Sequence, residues 1–573
     1  MTLDLTSRRD GVRSGASNGA VGLSALAGAS PAMLLVSLTA AALVAAPLVS
    51  LFALALKGDA EIWPHLAAHV LPNALAQTAG LVVGTALVAG VLGSMAAWIV
   101  TSFAFYGRTV LLWLLPLPLA IPTYIAAYIY VDIFEVDGPL QAPLRALFSW
   151  HTPQDYWFPQ VRSLGGAIFV FGVVLYPYVY LAVRAMLQTQ PAALSEAARA
   201  LGATPTRLLR QITLPLARPA LAVGIALVSL ESLNDIGASE YLGVQTLTLS
   251  VFTTWLNRSS LPGASQIALV MLVAVTALIA LERYGRRRQA YVRNGSDSVA
   301  ERIPLTGWRA GLAAFACLVP AALGFLLPAG FLLRETLTRG LLIGFEPELF
   351  DHALTTVTLA AAATVLVLLL AGSATLLLRQ RPHPLLRAGL AVSALGYAVP
   401  GTVLALGLLA PLVLVDRGLG AVMHWITGAP AGLIVIGSGA ALVIAYAARF
   451  MAIGGGFLQA GLARVPGELD DAARLFGAPP LALTRSIHLP LIRPALWGAA
   501  LLVFVDCLKE LPATLMLRPL NVETLSTYVY QFATRGSFED GALAALMIVA
   551  AGLVPVVCIV RQADLAVGAR RSR

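Results

Sequence analysis

The sequence predicts an all-α polytopic membrane protein of about 12 transmembrane helices, built as two six-helix halves in parallel repeat. Three observations carry this reading. Of 573 residues, 58% are hydrophobic and only 12% charged, a balance too apolar for a soluble chain of this length. Stretches such as 31–56, 264–281 and 541–560 carry no charge, and each is long enough to cross a hydrocarbon core, which takes about 20 apolar residues as a helix. Residues 194–221 recur as 469–496, with 17 of 28 positions identical.

Helices are expected because a backbone in lipid must satisfy its own hydrogen bonds, and the alternating pattern of a membrane barrel is missing. The spans are placed near 32–56, 71–102, 109–134, 164–188, 219–242, 264–282, 309–333, 353–378, 386–415, 431–458, 494–517 and 541–561. The fifth and eleventh are the least hydrophobic. Arg8, Arg9 and Arg13 precede a run too long for a signal peptide, so a retained first span is expected after a cytoplasmic segment 1–30. Those arginines, Arg108, Arg283, Arg286 to Arg288, Arg293, Arg379, Arg381, Arg387 and the basic tail 563–573 fall on one side. The positive-inside rule makes that side cytoplasmic and puts both termini there. The same rule accounts for the net charge of +9 without nucleic acid.

The repeat includes polar residues and helix breakers, which similarity between apolar segments does not produce: Arg199 matches Arg474, Gly202 matches Gly477 and Pro215 matches Pro490. Fainter echoes pair Ala74-Leu75 with Ala353-Leu354, Pro122 with Pro400, and Leu249-Ser250 with Leu525-Ser526. Half 1 is therefore expected over 31–282 and half 2 over 309–562. A polar, basic linker, 283–308, joins them on the cytoplasmic side. Six spans per half give both the same orientation, related by an axis along the membrane normal.

Within the repeated segment, residues 192–201 favour a helix with Glu196 near its positive N-terminal end. Gly202 supplies a turn, a second short helix starts at Thr204-Pro205 and stops at Pro215, and the next span begins beyond Arg218-Pro219. Two such cytoplasmic helix–turn–helix elements about a twofold axis suit a symmetric partner with two equivalent grooves; an interfacial loop without a partner is the alternative.

Glu196-Ala197-Ala198, three residues, Gly202, nine residues, then Ile212-x-Leu214-Pro215 resembles the EAA signature of ABC-importer permeases. Asp471-Ala472-Ala473, Gly477 and Ile487-x-Leu489-Pro490 keep that spacing, with Asp in place of Glu. The resemblance implies a type I importer-like fold in which segments 194–216 and 469–491 are coupling segments that dock into ATPase subunits. It also implies two ATPase copies, as a homodimer, a periplasmic substrate-binding protein and a place in the bacterial inner membrane. No phosphate-binding G-x-x-x-x-G-K-[ST] loop occurs. ATP is accordingly expected to be used by the partner, and this chain is expected to bind no cofactor and to be no enzyme.

After each repeated segment comes a span with carboxylates at its far end. Glu231 aligns with Asp506 and Asp235 with Glu510, four residues apart on one helical face, and Glu240 follows in half 1. Because an acid facing lipid costs about 2.5–3.5 kcal/mol or more, these faces are expected to line a hydrated path or the interface between halves. One reading is an acidic lining for a hard cation such as ferric iron, with no firm metal ligand set; the other is an ion-pair network in which Lys509 and Arg518 answer Asp506 and Glu510. Segments 127–141, 232–255 and 508–533 resemble those of fused ferric-iron permeases, and related fused permeases carry thiamine, polyamines or phosphonates. A 12-helix secondary transporter shares the span count but has no use for the duplicated segment. Cys317, Cys507 and Cys558 show no ligand spacing and are expected as core residues. His488 is expected as a surface polar residue, and 150–158 as an interfacial aromatic belt.

Overall fold

The computed structural model describes residues 31–188, 196–198, 200–286, 302–342, 347–429 and 432–571. The expected N-terminal segment 1–30, residues 287–301 of the linker, and residues 194, 195 and 199 of the first repeated segment lie outside them. Among the described residues, 11 helices are long and apolar enough to cross a membrane, or up to 12 if a bent pair is one span.

In the first half α1 (Pro31–Lys57) and α2 (Leu71–Ser102) are followed by a broken span, α3 (Arg108–Leu114) with its extension to Ala120, then α4 (Thr123–Phe134). The two parts of that span meet at 97°. Next come α5 (Leu164–Gln188), α6 (Leu214–Asn234), the short α7 (Gly237–Tyr241) and α8 (Leu247–Leu256), and α9 (Leu261–Arg286). The second half repeats the order. It comprises α10 (Gly307–Ala321) continuing into α11 (Leu327–Thr338), α12 (Pro347–Gln380), a broken α13 (Pro384–Ser393) and α14 (Gly401–Thr427), and α15 (Ala440–Leu462). The short α16 (Gly467–Leu475) leads to α17 (Leu489–Leu508), α18 (Pro512–Leu517), α19 (Leu525–Thr534) and α20 (Ala542–Arg571).

The repeat is visible in hydrogen bonds as well as in helix order. Pro122 and Pro400 cap α4 and α14 with nearly the same backbone angles (φ −58°, ψ 142° and φ −55°, ψ 142°). Proline is pre-set for this entry into a helix and has no N–H to leave unpaired. The hydroxyl of Thr78 on α2 accepts from Leu247 N (2.9 Å), and that of Thr356 on α12 accepts from Leu525 N (2.8 Å). The structural partner of Leu525 is therefore Leu247, not Leu249 as the sequence echo had it.

Each half lends its first span to the other. Helix α1 packs along α13 and α14, while α10 and α11 pack on α2, α3, α4 and α20. Small residues allow the close approach: a side chain at Gly407 would meet the backbone oxygen of Pro47 at 2.3 Å, and one at Gly324 that of Val173 at 2.3 Å. The linker's far end is tied back, since Ile303–Pro304 pairs in parallel with Phe103–Ala104 at the end of α2.

Two expectations about the fifth and eleventh spans need correction. Pro215 and Pro490 do not end the short helices before them. A π-helical turn (Leu209–Thr213 and Thr484–His488) runs straight into α6 and α17, so each proline sits inside a continuous helix, just after a π turn whose altered hydrogen bonding accommodates the missing N–H. The spans also stop earlier than placed, at Asn234 and Leu508, and short helices follow each break. Residues 150–158 form a tight loop in which Trp150 stacks on Tyr156 at 4.6 Å and Thr152 and Asp155 cap one another.

Candidate functional site

The breaks at Asn234 and Leu508 bring the carboxylates together. Asp235 Oδ1 accepts from Ala238 N at 2.7 Å and Glu510 Oε1 from Ala513 N at 3.1 Å, so each acid caps the short helix that follows it. A carboxylate at a helix N-terminus is favoured by the macrodipole and satisfies one orphan donor. The caps turn both acids into a cavity of about 90 Å³ between the halves, which Glu231, Asp235, Asp506 and Glu510 all line. A space of that size holds several waters or a small ion; organic ligand pockets run to about 300–1,000 Å³.

Around the cavity the two halves contribute equivalent positions: Val174 and Leu175 from α5 face Arg449 and Phe450 from α15, and Asn234 matches Lys509. Four carboxylates meet two cations there. Lys509 Nζ lies 2.9 Å from Asp506, as the ion-pair reading expected. Arg518 does not answer Glu510; it pairs with Glu523 instead. The partner of Glu510 is Arg449, at 3.3 Å with both side chains almost fully buried. Glu231 accepts from Tyr397 Oη at 2.7 Å, and Asp235 accepts from the Thr123 hydroxyl. Glu240 is placed elsewhere: it accepts from Tyr530 Oη at 2.6 Å across the halves and does not line the cavity.

The repeated segments lie at the opposite end of α6 and α17 from the acids. In both, the helix closes with the same bonds: Ala203 N donates to Ala198 O and Ala478 N to Ala473 O, each at 3.0 Å. Gly202 and Gly477 take the left-handed conformation between them (φ +79° and +74°). This is the six-to-one helix ending that glycine favours. Glu196, Ala197, Asp471 and Ala472 are exposed, Ala198 and Ala473 partly so. Leu201 and Phe476, immediately before the glycines, are 89% and 92% exposed.

His488 is a correction, because it is fully buried, with Nε2 2.9 Å from Asp470 Oδ1. Arg379, from the end of α12, holds the other oxygen at 2.7 Å. The sequence offered no sign of this pairing, since Asp470 and His488 stand where the first copy of the repeat has Ser195 and Thr213, and Arg379 comes from a distant span. Burial opposes ionisation of Asp470, but Arg379 and His488 outweigh it and hold the carboxyl below its ordinary value of 3.8. A depressed folded-state value means the stability it contributes is complete above about pH 4 and is lost as pH falls through the folded value. Asp470→Asn is expected to destabilise the chain by a constant amount above that pH and by progressively less below it. Unfolding followed by tryptophan fluorescence across the acid range checks this; a difference that does not shrink at low pH refutes it.

Among the described residues no group of three or more His, Cys, Asp or Glu side chains is placed to hold a metal ion.

Comparison with known proteins agrees with this architecture. Residues 89–290 match the family model described as binding-protein-dependent transport system inner membrane component. The Fe(3+)-transport system permease protein FbpB 2 of Haemophilus influenzae is 23% identical over 481 residues, 81% of this chain and 85% of its own. The probable ABC transporter permease protein y4fN of Sinorhizobium fredii is 26% identical over 82% of this chain and 83% of its own. The sulfate transport system permease protein CysT of Salmonella typhimurium is 31% identical over 214 residues, which is 35% of this chain but 72% of that protein. A shorter permease thus aligns with a part of this chain, while two others align along both halves. The chain belongs to the binding-protein-dependent transport inner-membrane components and is an ABC-importer permease of the fused, two-half type.

Proposed function

We propose that this permease carries ferric iron into the cytoplasm of a bacterial cell, receiving it from a periplasmic binding protein and driven by two copies of an ATPase subunit. Both termini are cytoplasmic in this reading, and the coupling segments face the ATPase. The exposed Leu201 and Phe476 at equivalent points of the two segments support it, because paired apolar knobs on a polar end of the molecule suit a symmetric docking partner.

One observation carries the choice of substrate. The cavity between the halves holds four carboxylates and two cations. An excess of acid attracts a hard cation through oxygen ligands and repels a dianion. That weighs against sulfate, although a sulfate permease is among the relatives. Within the same class thiamine and polyamine, both cations, are the alternatives that this lining favours; phosphonate, the third, carries an anionic group that it disfavours as it does sulfate. The test is uptake of radiolabelled ferric iron and of sulfate in cells with and without the chain. Iron uptake that needs the chain is the expected result; sulfate uptake that needs it, with iron indifferent, refutes the proposal.

A further inference from the structure

The two halves of the cavity are not chemically equivalent. In the second half, both acids have a cation beside them: Asp506 pairs with Lys509 at 2.9 Å and Glu510 with Arg449 at 3.3 Å. At the positions matching Arg449 and Lys509, the first half has Val174 and Asn234. Glu231 and Asp235 accordingly make no ion pair among the described residues; their partners are the neutral hydroxyls of Tyr397 and Thr123. Two further oxygens on that side have no partner. The Asn234 side-chain oxygen and the Tyr124 hydroxyl are buried without a hydrogen bond, in residues only 5% and 4% exposed that line the same cavity. A buried oxygen left unpaired is costly unless something occupies the space before it.

From this asymmetry, and resting on the cation-import reading above, we infer that Glu231, Asp235, Asn234 and Tyr124 form a one-sided, all-oxygen station for a hard trivalent cation in transit. Arg449 and Lys509 neutralise the second half's acids and exclude the cation from that side. Two carboxylates and two neutral oxygens suit a stopping point, because conduction needs binding strong enough to enter and weak enough to leave.

Tb³⁺ is a suitable probe: it is a hard trivalent ion, and Tyr124, Tyr178 and Tyr397 line the cavity to sensitise its luminescence. The full-length purified chain in detergent is expected to bind it saturably. The Glu231→Gln/Asp235→Asn variant should weaken binding about tenfold or more, as loss of charge-assisted ligands implies. Gln and Asn keep an oxygen to accept from Tyr397, Thr123 and Ala238, so the helix cap survives. Asn234→Lys, which writes the second half's counter-ion into the first, should have the same effect. Glu240→Gln, which removes an acid outside the cavity and keeps an oxygen to accept from Tyr530, should bind like the original chain. Equal loss in Glu240→Gln, or unchanged binding in Glu231→Gln/Asp235→Asn, overturns the station. In either case iron uptake that still needs the chain leaves the substrate reading standing, and uptake indifferent to it removes that reading separately.

Discussion

Arg449→Met made alone should lower the stability of the purified chain by about 3–5 kcal/mol, the usual effect of stripping one partner from a buried ion pair. Arg449 and Glu510 lie 3.3 Å apart with side chains 6% and 5% exposed, so Glu510 would lose its cation while staying almost fully buried. Glu510 cannot turn away either, because its Oε1 also caps α18 through Ala513 N. The site is built to hold the guanidinium. A side chain at Gly401 would come within 2.1 Å of Arg449 Nη1 and 2.8 Å of Glu510 Oε1, so the residue after the Pro400 break has to be glycine while the pair is in place. Adding Glu510→Gln to Arg449→Met should recover most of the loss, since a neutral amide beside a methionine leaves no buried charge. Thermal unfolding of the detergent-solubilised proteins reads both variants. A single variant as stable as the original chain, or a double variant as weak as the single, would show that the pair does not bear on stability.

Arg449 also shows where sequence reasoning stopped. The acids were legible because they recur four residues apart at matching places in both halves, and a repeated polar pair in an apolar span asks for a reason. Arg449 comes from a different span, and its counterpart in the first half is Val174, so the repeat gives it no match. Arg518 was nearer in sequence to Glu510 and drew the assignment, but it lies beyond α18 and meets Glu523. His488 failed for a related reason. A histidine in an amphipathic segment between spans is normally exposed, and only the return of α12, bringing Arg379 to Asp470, buries it. The exchange of first spans between halves was invisible as well, because hydropathy fixes how many helices cross and says nothing of which neighbour each one meets. Pro122 and Pro400 were seen as echoes, yet whether a proline kinks a span or breaks it depends on what packs into the gap, and here the gap admits the cavity.

Gly202→Pro and Gly477→Pro should each abolish transport, by well over tenfold, while leaving the chain in the membrane. Both glycines sit at positive φ, +79° and +74°, and proline is locked near −65°. The substitution also removes the N–H that Gly477 donates to Arg474 O at 3.0 Å and disfavours helical geometry in the residue before it. That preceding residue is Leu201 or Phe476, the exposed apolar group proposed to meet the ATPase. Steric crowding does not enter, because no atom lies within 4 Å of where a side chain would begin at either glycine. The effect must therefore come from the backbone, and a graded series isolates it. Asparagine, which tolerates the left-handed region, should keep most of the uptake; alanine, strained by about 1–2 kcal/mol, should fall between; proline should lose it. Measuring uptake beside membrane-inserted protein for the series separates a docking defect from a folding defect. If proline at either turn transports as well as asparagine, the conformation of these segments is not what couples the permease to its ATPase, and the resemblance of their spacing to the EAA signature has no mechanical meaning in this chain.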